Sequence, residues 1–310
     1  MQSANPPASG ESPARLLPRA ATVPKAGDTP LDWGRRYLMC PPDAFGVVYE
    51  INPWMRTDVP VDQDLAHRQW QALVETLRRA GAEVATLSPV QGLPDMVFTA
   101  NAGLVDGQRF VPSRFRHLER RPESAHAVMW FRRQGFALTQ LPSHAVQCFE
   151  GAGDALPFRG QLVAGHRFRS DQGAHAQLAN LLGVSVVSLE LVDPRFYHVD
   201  LTFCPLDARR AIIYPQGWAA PTRARIQQLV PEPLVLEPDE ALTFCANSVV
   251  VGTTVIMPAC PARVGRRLER WGFDVCVCPV DEFLKAGGGV RCLTLALDVV
   301  LSAHSGQLTG

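Results

Sequence analysis

The sequence predicts an α/β chain built as a closed ring of repeated units. Three observations carry this reading. Short polar landmarks recur at Asn52, Phe98–Asn101, Phe149–Asp154, His198–Asp200, Cys245–Asn247 and Cys292, about 45 to 50 residues apart, within the spacing of repeat arrays. Between them sit an apolar strand, a run of helical period and a second strand. Six landmarks delimit five intervals, and units unable to bury their own faces must stack or close on one another. In a closed ring the equivalent ends converge on the axis, so Asn101, Glu150, His198, Asp200 and Cys292 are expected to meet there.

Composition sets the frame. With 310 residues, 46% hydrophobic and 19% charged, the chain can bury a sizeable core. Thirty basic and thirty acidic residues give a formal net charge of zero, so bulk attraction to nucleic acid or to a membrane surface is not expected. No apolar run is long enough to cross a bilayer, and residues 1–34 lack the apolar stretch of a secretory signal. These features predict a soluble cytoplasmic protein acting on a small molecule, with a homo-oligomer left open. Eight cysteines in a chain of this length do not form a small disulfide framework and are expected to be reduced and mostly buried. Cys276 and Cys278 lack a second pair or neighbouring histidines, so no metal site is expected.

Taken in order, residues 1–34 are rich in Pro, Ala and Ser and read as a disordered tail. A single catalytic domain is expected over 35–303. It opens with an apolar strand at Arg36–Cys40, closed by Pro41 and Pro42, and runs through Phe45–Ile51 to a turn at Asn52-Pro53. Leu65, Trp70, Leu73, Val74 and Leu77 recur at helical spacing until Gly81, before a strand at Glu83–Leu87. Phe98 is placed on another strand. Later units repeat the pattern, with helices at Ala174–Leu182 and Pro261–Trp271 and strands at Val184–Leu189 and Val275–Cys278.

The last landmark is chemically the most pointed. Gly287-Gly288-Gly289 delivers Cys292 to the edge of an apolar strand, and consecutive glycines allow close approach to the main chain. A lone buried cysteine is ordinarily a small hydrophobe. Convergence with His198 and the carboxylates changes that reading to a nucleophile. A thiolate at Cys292 would attack an electrophilic carbon to form a tetrahedral adduct and then a covalent intermediate, with His198 protonating the leaving group and later activating water.

Four ordered motifs carry a resemblance. They are Asp95–Val105, Phe149–Leu156 with its Glu150-Gly151-Ala152-Gly153-Asp154 core, Phe196–Pro205 with His198-Val199-Asp200, and Phe283–Thr294 with the glycines and Cys292. From about Arg35 to Val300 the chain resembles the pentein, or guanidino-group-modifying, superfamily. Within it the chain is most similar to the catalytic domain of bacterial arginine dihydrolases, and is related to arginine deiminases and dimethylarginine dimethylaminohydrolases. The resemblance implies a five-bladed α/β propeller, a cofactor-free hydrolase and a small guanidino substrate, whose charge, delocalised over three nitrogens, calls for a strong nucleophile and gives an S-alkylthiouronium on Cys292. It also implies roles: Cys292, His198 and Glu150 catalytic, with Glu150 supporting the imidazole; Asp200 gripping the guanidine nitrogens; Arg114 and Arg169 binding the α-carboxylate. Asn52, Phe98 and Asp154 join the substrate-binding set, Asp154 with an alternative role as a turn cap. The same architecture also serves a binding factor without catalysis, but that role does not need a Cys, a His and a Glu at the axis.

Asn101 separates the activities. Arginine deiminases carry aspartate at the equivalent point, which suits a cationic guanidinium but gives no donor to a neutral ureido product. An amide presents both donors and an acceptor. The resulting expectation is arginine dihydrolase, with dimethylarginine dimethylaminohydrolase and arginine deiminase as alternatives. Long C-terminal extensions often accompany arginine dihydrolases, and with eighteen residues after Cys292 no second activity of that kind is expected.

Overall fold

The computed structural model describes residues 29–142 and 147–301, together with the backbone of Arg15–Leu16. Among the described residues the chain forms five small mixed sheets with one internal pattern. In four of them an antiparallel hairpin is followed by a helix and by a third strand parallel to the second. The first runs Gly103–Asp106, Arg109–Pro112, helix Glu123–Arg133 and Ala137–Leu138. The next runs Ala155–Phe158, Gln161–His166, helix Gln172–Leu182 and Ser185–Glu190. Phe203–Pro205, Arg210–Ile213, helix Ala220–Leu229 and Glu232–Val235 form a third. Val249–Val251, Thr254–Met257, helix Ala262–Arg270 and Asp274–Val277 form a fourth.

The fifth sheet is assembled from both ends of this series. Arg36–Met39 pairs in parallel with Glu83–Thr86 across helix Gln63–Arg79, and the late strand Leu295–Ala296 adds to Arg36–Met39 antiparallel. The helix forms because Asp62 caps it, its side chain accepting from the Leu65 amide, and because Ala66, Leu73, Val74 and Leu77 recur on one buried face. Strand interiors rich in Val, Ile and Leu bury both faces under these helices, as in Val249–Val251 and Ala211–Ile213. Two-residue hairpins such as Arg159-Gly160 need both residues at positive φ, here 51° and 71°.

Two sequence expectations change. The polar landmarks lie in tight 3-10 turns ahead of each hairpin rather than on strands: Thr99–Ala102, Gly151–Gly153 and Val199–Leu201, with Asn247 and Cys292 in turns before Val249 and Leu295. A strand would carry these residues into a ladder, whereas the turns leave them at the start of each hairpin. Residues 29–34, expected in the tail, belong to the fold. Pro30 bridges to Asp207, Ala208 donates its amide to the Thr29 carbonyl and Trp33 is buried. Arg15–Leu16 also extends the Asp274–Val277 edge. The remainder of residues 1–28 lies outside the described residues. No helix among the described residues is long and apolar enough to cross a membrane.

Candidate active site

The turns bring the predicted polar residues into one buried cluster. Cys292 is 2% exposed, His198 1%, and Glu150 and Asp200 are fully buried. Asn247 fixes the thiol. Its Nδ2 donates to Cys292 Sγ at 3.2 Å and to the Asp200 carbonyl, while its Oδ1 accepts from the Cys292 amide at 3.2 Å. The Cys292 thiol donates to Asp200 Oδ2 at 3.5 Å, and Asp200 Oδ1 is buried without a partner. Burial first, then the Asp200 charge, push the thiol well above its ordinary value, opposed by hydrogen bonds from the Gly289 backbone and Asn247. Burial pushes Asp200 itself up to about 7, against the opposing charge of Arg291.

The imidazole is held from the neighbouring turns. His198 Nε2 lies 2.9 Å from Glu150 Oε2, and Arg169 Nη1 donates to that same oxygen at 3.0 Å. Burial alone would raise the Glu150 pKa, but Arg169 and His198 outweigh it and hold the carboxylate well below its usual range. Glu150 is thus an anion that fixes both ring and guanidinium. Asp154 accepts from Ser170 Oγ at 2.6 Å and from the Val199 amide at 3.1 Å, so it ties the histidine turn to the glutamate turn. Burial raises it to about 6, against the nearby His198.

The glycines allow close approach to the main chain by neighbouring side chains. Gly287 sits at φ 80°, and an added Cβ would lie 2.9 Å from both Asn52 Oδ1 and the Tyr197 hydroxyl. A Cβ on Gly288 would overlap the Phe98 ring, and one on Gly289 would lie 2.7 Å from Asn247 Oδ1. Each glycine makes room for a different site residue. Asn52 in turn donates to the Ala286 carbonyl, Tyr197 to that of Gly287, and the Ala100 amide to the Cys292 carbonyl.

Other predicted residues take more specific positions. Asn101 Oδ1 accepts from Arg120 Nη1 at 3.0 Å and its Nδ2 donates to the Glu150 carbonyl at 3.3 Å. Arg120 also pairs with Glu123 at 2.9 Å and donates to the Asp95 carbonyl. Arg114 instead donates to the Leu141 and Pro142 carbonyls, so Arg120 and not Arg114 is the cation that reaches Asn101. Arg169 bridges Glu150 and the Ile51 carbonyl under the Tyr197 ring. Sequence reasoning missed Asn247 as a site residue although it lay on a landmark, and it missed Arg120, Asp95 and Tyr197. Among the described residues no group of three His, Cys, Asp or Glu is arranged to hold a metal.

A buried thiol, a carboxylate-held imidazole and a second carboxylate beside the sulfur define a hydrolase of guanidino C–N bonds, of the pentein type. The chain belongs to the dimethylarginine dimethylaminohydrolase family: residues 50–299 match the family model described as N,N dimethylarginine dimethylhydrolase, eukaryotic. It is 38% identical over 286 residues to N(G),N(G)-dimethylarginine dimethylaminohydrolase of Mycobacterium tuberculosis, covering 92% of this chain and 89% of that protein. It is 43% identical over 265 residues to the bifunctional arginine dihydrolase/ornithine cyclodeaminase ArgZ of Synechocystis, covering 84% of this chain but only 37% of that protein's length. A substrate-bound cysteine-to-serine variant of the N-terminal domain of ArgZ, a cyanobacterial arginine dihydrolase, superposes with a TM-score of 0.82 at 41% identity, covering 86% of this chain and 99% of that one.

Proposed function

We propose that the chain is an arginine dihydrolase, converting arginine to ornithine, two ammonia and carbon dioxide. The observation that carries this reading is the fixed amide of Asn101. A guanidinium can only donate, so the Arg120 contact assigns the Asn101 oxygen and leaves Nδ2 facing the catalytic glutamate turn. An N–H there can donate to a ureido oxygen, which an aspartate at this position cannot do. The 43% identity to ArgZ supports the same reading. The fivefold repetition of the sheets supports a closed five-bladed propeller in one catalytic domain, with the turn residues around its axis.

The steps follow from the cluster. Asp200 Oδ1, free of partners, takes guanidinium N–H groups, and the substrate's positive charge favours the Cys292 thiolate over the resting thiol. His198, oriented by Glu150, takes the thiol proton as sulfur bonds to the guanidinium carbon and passes it to a terminal nitrogen. The C–N bond breaks and ammonia leaves. His198 then takes a proton from water as its oxygen bonds to carbon and the C–S bond breaks, giving the ureido product. A second attack by Cys292 on that carbon expels the second ammonia, which leaves with the proton His198 took from water. Hydrolysis of the resulting thiocarbamate yields a carbamate, which loses carbon dioxide. Arg169 supports Glu150, and Asn52, Phe98 and Asp154 shape the pocket.

Dimethylarginine hydrolysis is the second reading, favoured by the 38% identity to the mycobacterial dimethylaminohydrolase over nearly its whole length. Purified protein incubated with arginine, citrulline and asymmetric dimethylarginine separates them. Two ammonia and one ornithine per arginine are expected, with little dimethylamine from dimethylarginine. Citrulline as the sole stable product, or faster dimethylamine release, would overturn the proposal. Cys292→Ala is expected to abolish every one of these reactions, and Asn101→Asp to stop at citrulline.

A further inference from the structure

Gly153 closes the glutamate turn Gly151–Gly153, yet its backbone does not call for glycine. Gly151 in the same turn sits at φ 66°, where a side chain is strained, whereas Gly153 lies outside the left-handed region. What an alanine at 153 would meet is a side chain. A Cβ there would overlap Asn101 Nδ2, and the next residue it would reach is His198, with Nδ1 at 3.6 Å in ordinary van der Waals contact. The missing methyl group keeps space for the Asn101 amide, and the imidazole does not need it.

The same point ties Asn101 to the chemistry. His198 turns Nε2 towards Glu150 Oε2 at 2.9 Å, and an ionised carboxylate can only accept, so Nε2 carries a proton and Nδ1 is the nitrogen left to serve the substrate. Asn101 Nδ2 and His198 Nδ1 both border the place where a Gly153 Cβ would stand. One N–H of Nδ2 is given to the Glu150 carbonyl at 3.3 Å, and among the described residues the second has no acceptor. The amide cannot move off this seat without loss. Its Oδ1 accepts from Arg120 Nη1 at 3.0 Å, and Arg120 is itself held by both Glu123 oxygens at 2.9 and 3.0 Å. All three side chains are buried, so bonds broken by a displaced amide are not replaced by water.

We propose that Gly153 is a specificity-determining position of this site: by lacking a side chain it seats the Asn101 amide with an N–H beside the working nitrogen of His198, where that N–H meets a ureido oxygen. A methyl group at 153 displaces this donor and spares Cys292, Asp200 and the Glu150–His198 pair, which serve the first hydrolysis. The inference rests on the reading of Asn101 as the donor to the ureido product and names the residue that places it.

The test uses the full chain as wild type, Gly153→Ala, Asn101→Ala and the double variant, each given arginine or citrulline, with ornithine, citrulline and ammonia scored separately and the melting temperature measured. In Gly153→Ala, citrulline hydrolysis is expected to fall at least ~100-fold, as when one donor to a developing oxyanion is removed. Arginine consumption is expected to fall by a smaller factor, so that citrulline accumulates. In Asn101→Ala the colliding amide is gone, and adding Gly153→Ala is expected to leave arginine consumption and melting temperature close to those of Asn101→Ala alone. A Gly153→Ala protein that carries arginine to ornithine with no build-up of citrulline overturns the proposal. So does a Gly153→Ala effect that is as large without the Asn101 amide as with it. Should Gly153→Ala not fold, the double variant is expected to fold, and its failure to do so overturns the proposal. A wild type that stops at citrulline overturns the dihydrolase reading instead. The seat is then decided by melting temperature: a loss caused by Gly153→Ala and relieved by Asn101→Ala upholds it, and a loss that persists sinks it.

Discussion

Asn247 grips Cys292 from both sides, its Nδ2 on the sulfur and its Oδ1 on the backbone amide, each at 3.2 Å. One amide thus sets both the direction of the thiol and the path of the loop that carries it. Asn247→Ala leaves the Cys292 N–H and the Asp200 carbonyl buried without this partner, so a loss of about 1–3 kcal/mol is expected in denaturant unfolding. Asn247→Asp additionally sets a second carboxylate against the sulfur. Alkylation of Cys292 by iodoacetamide at pH 8 should therefore be slower in the Asp variant than in the Ala variant, and equal rates would show that Asn247 has no electrostatic role.

Asp200 carries a stability cost with a definite sign. Its pKa is raised from 3.8 to about 7 by burial, so the folded state binds more protons than the unfolded chain between those values. Stability falls as pH rises through that window, and the full cost is present above it. Asp200→Asn removes it. The variant is expected to be more stable than the wild type by about 2–4 kcal/mol at pH 8, with the difference closing below about pH 4. Guanidino hydrolysis is expected to fall at least ~100-fold in the same variant.

Glu150 shows the opposite sign. Arg169 and His198 hold its pKa down, so its contribution is present above the ordinary carboxylate range and lost only as pH falls below it. Arg169→Met leaves that carboxylate buried without its cation and is expected to cost about 3–5 kcal/mol. Pairing it with Glu150→Gln should recover part of that loss. An additive double variant would refute the coupling.

The glycine run offers a steric test. Gly288→Ala places a methyl group into the Phe98 ring, and Phe98 begins the turn that carries Asn101. A loss of about 1–3 kcal/mol and a fall in kcat larger than any rise in KM are expected, whereas Phe98→Leu in the same chain should restore stability by yielding space.

Much of this was legible in the sequence because repeats leave a period. The landmarks located the turns that hold Asn101, Glu150, His198, Asp200 and Cys292, and the helical spacing from Leu65 to Leu77 located the first helix. Contacts made by long side chains leave no such trace. Arg114 and Arg120 are equally plausible on spacing, and only the folded turn sends Arg120 to Asn101. Asn247 was visible as a landmark, but nothing in the sequence ties it to a cysteine in the next unit. The composition of residues 1–34 hid Trp33, since one buried indole hardly alters the character of a Pro- and Ala-rich stretch.

The pairing of Leu295–Ala296 with Arg36–Met39 also orders events during synthesis. Tyr37, Leu38 and Met39, all buried in the finished fold, leave the ribosome well before Leu295–Ala296 and wait with one edge open until that strand has emerged. Cys292 lies three residues before the strand that covers that edge. A chain that stops short of this segment therefore has neither its nucleophile nor the pocket around it, and the strand that closes the fifth sheet is also the one that sets the chemistry in place.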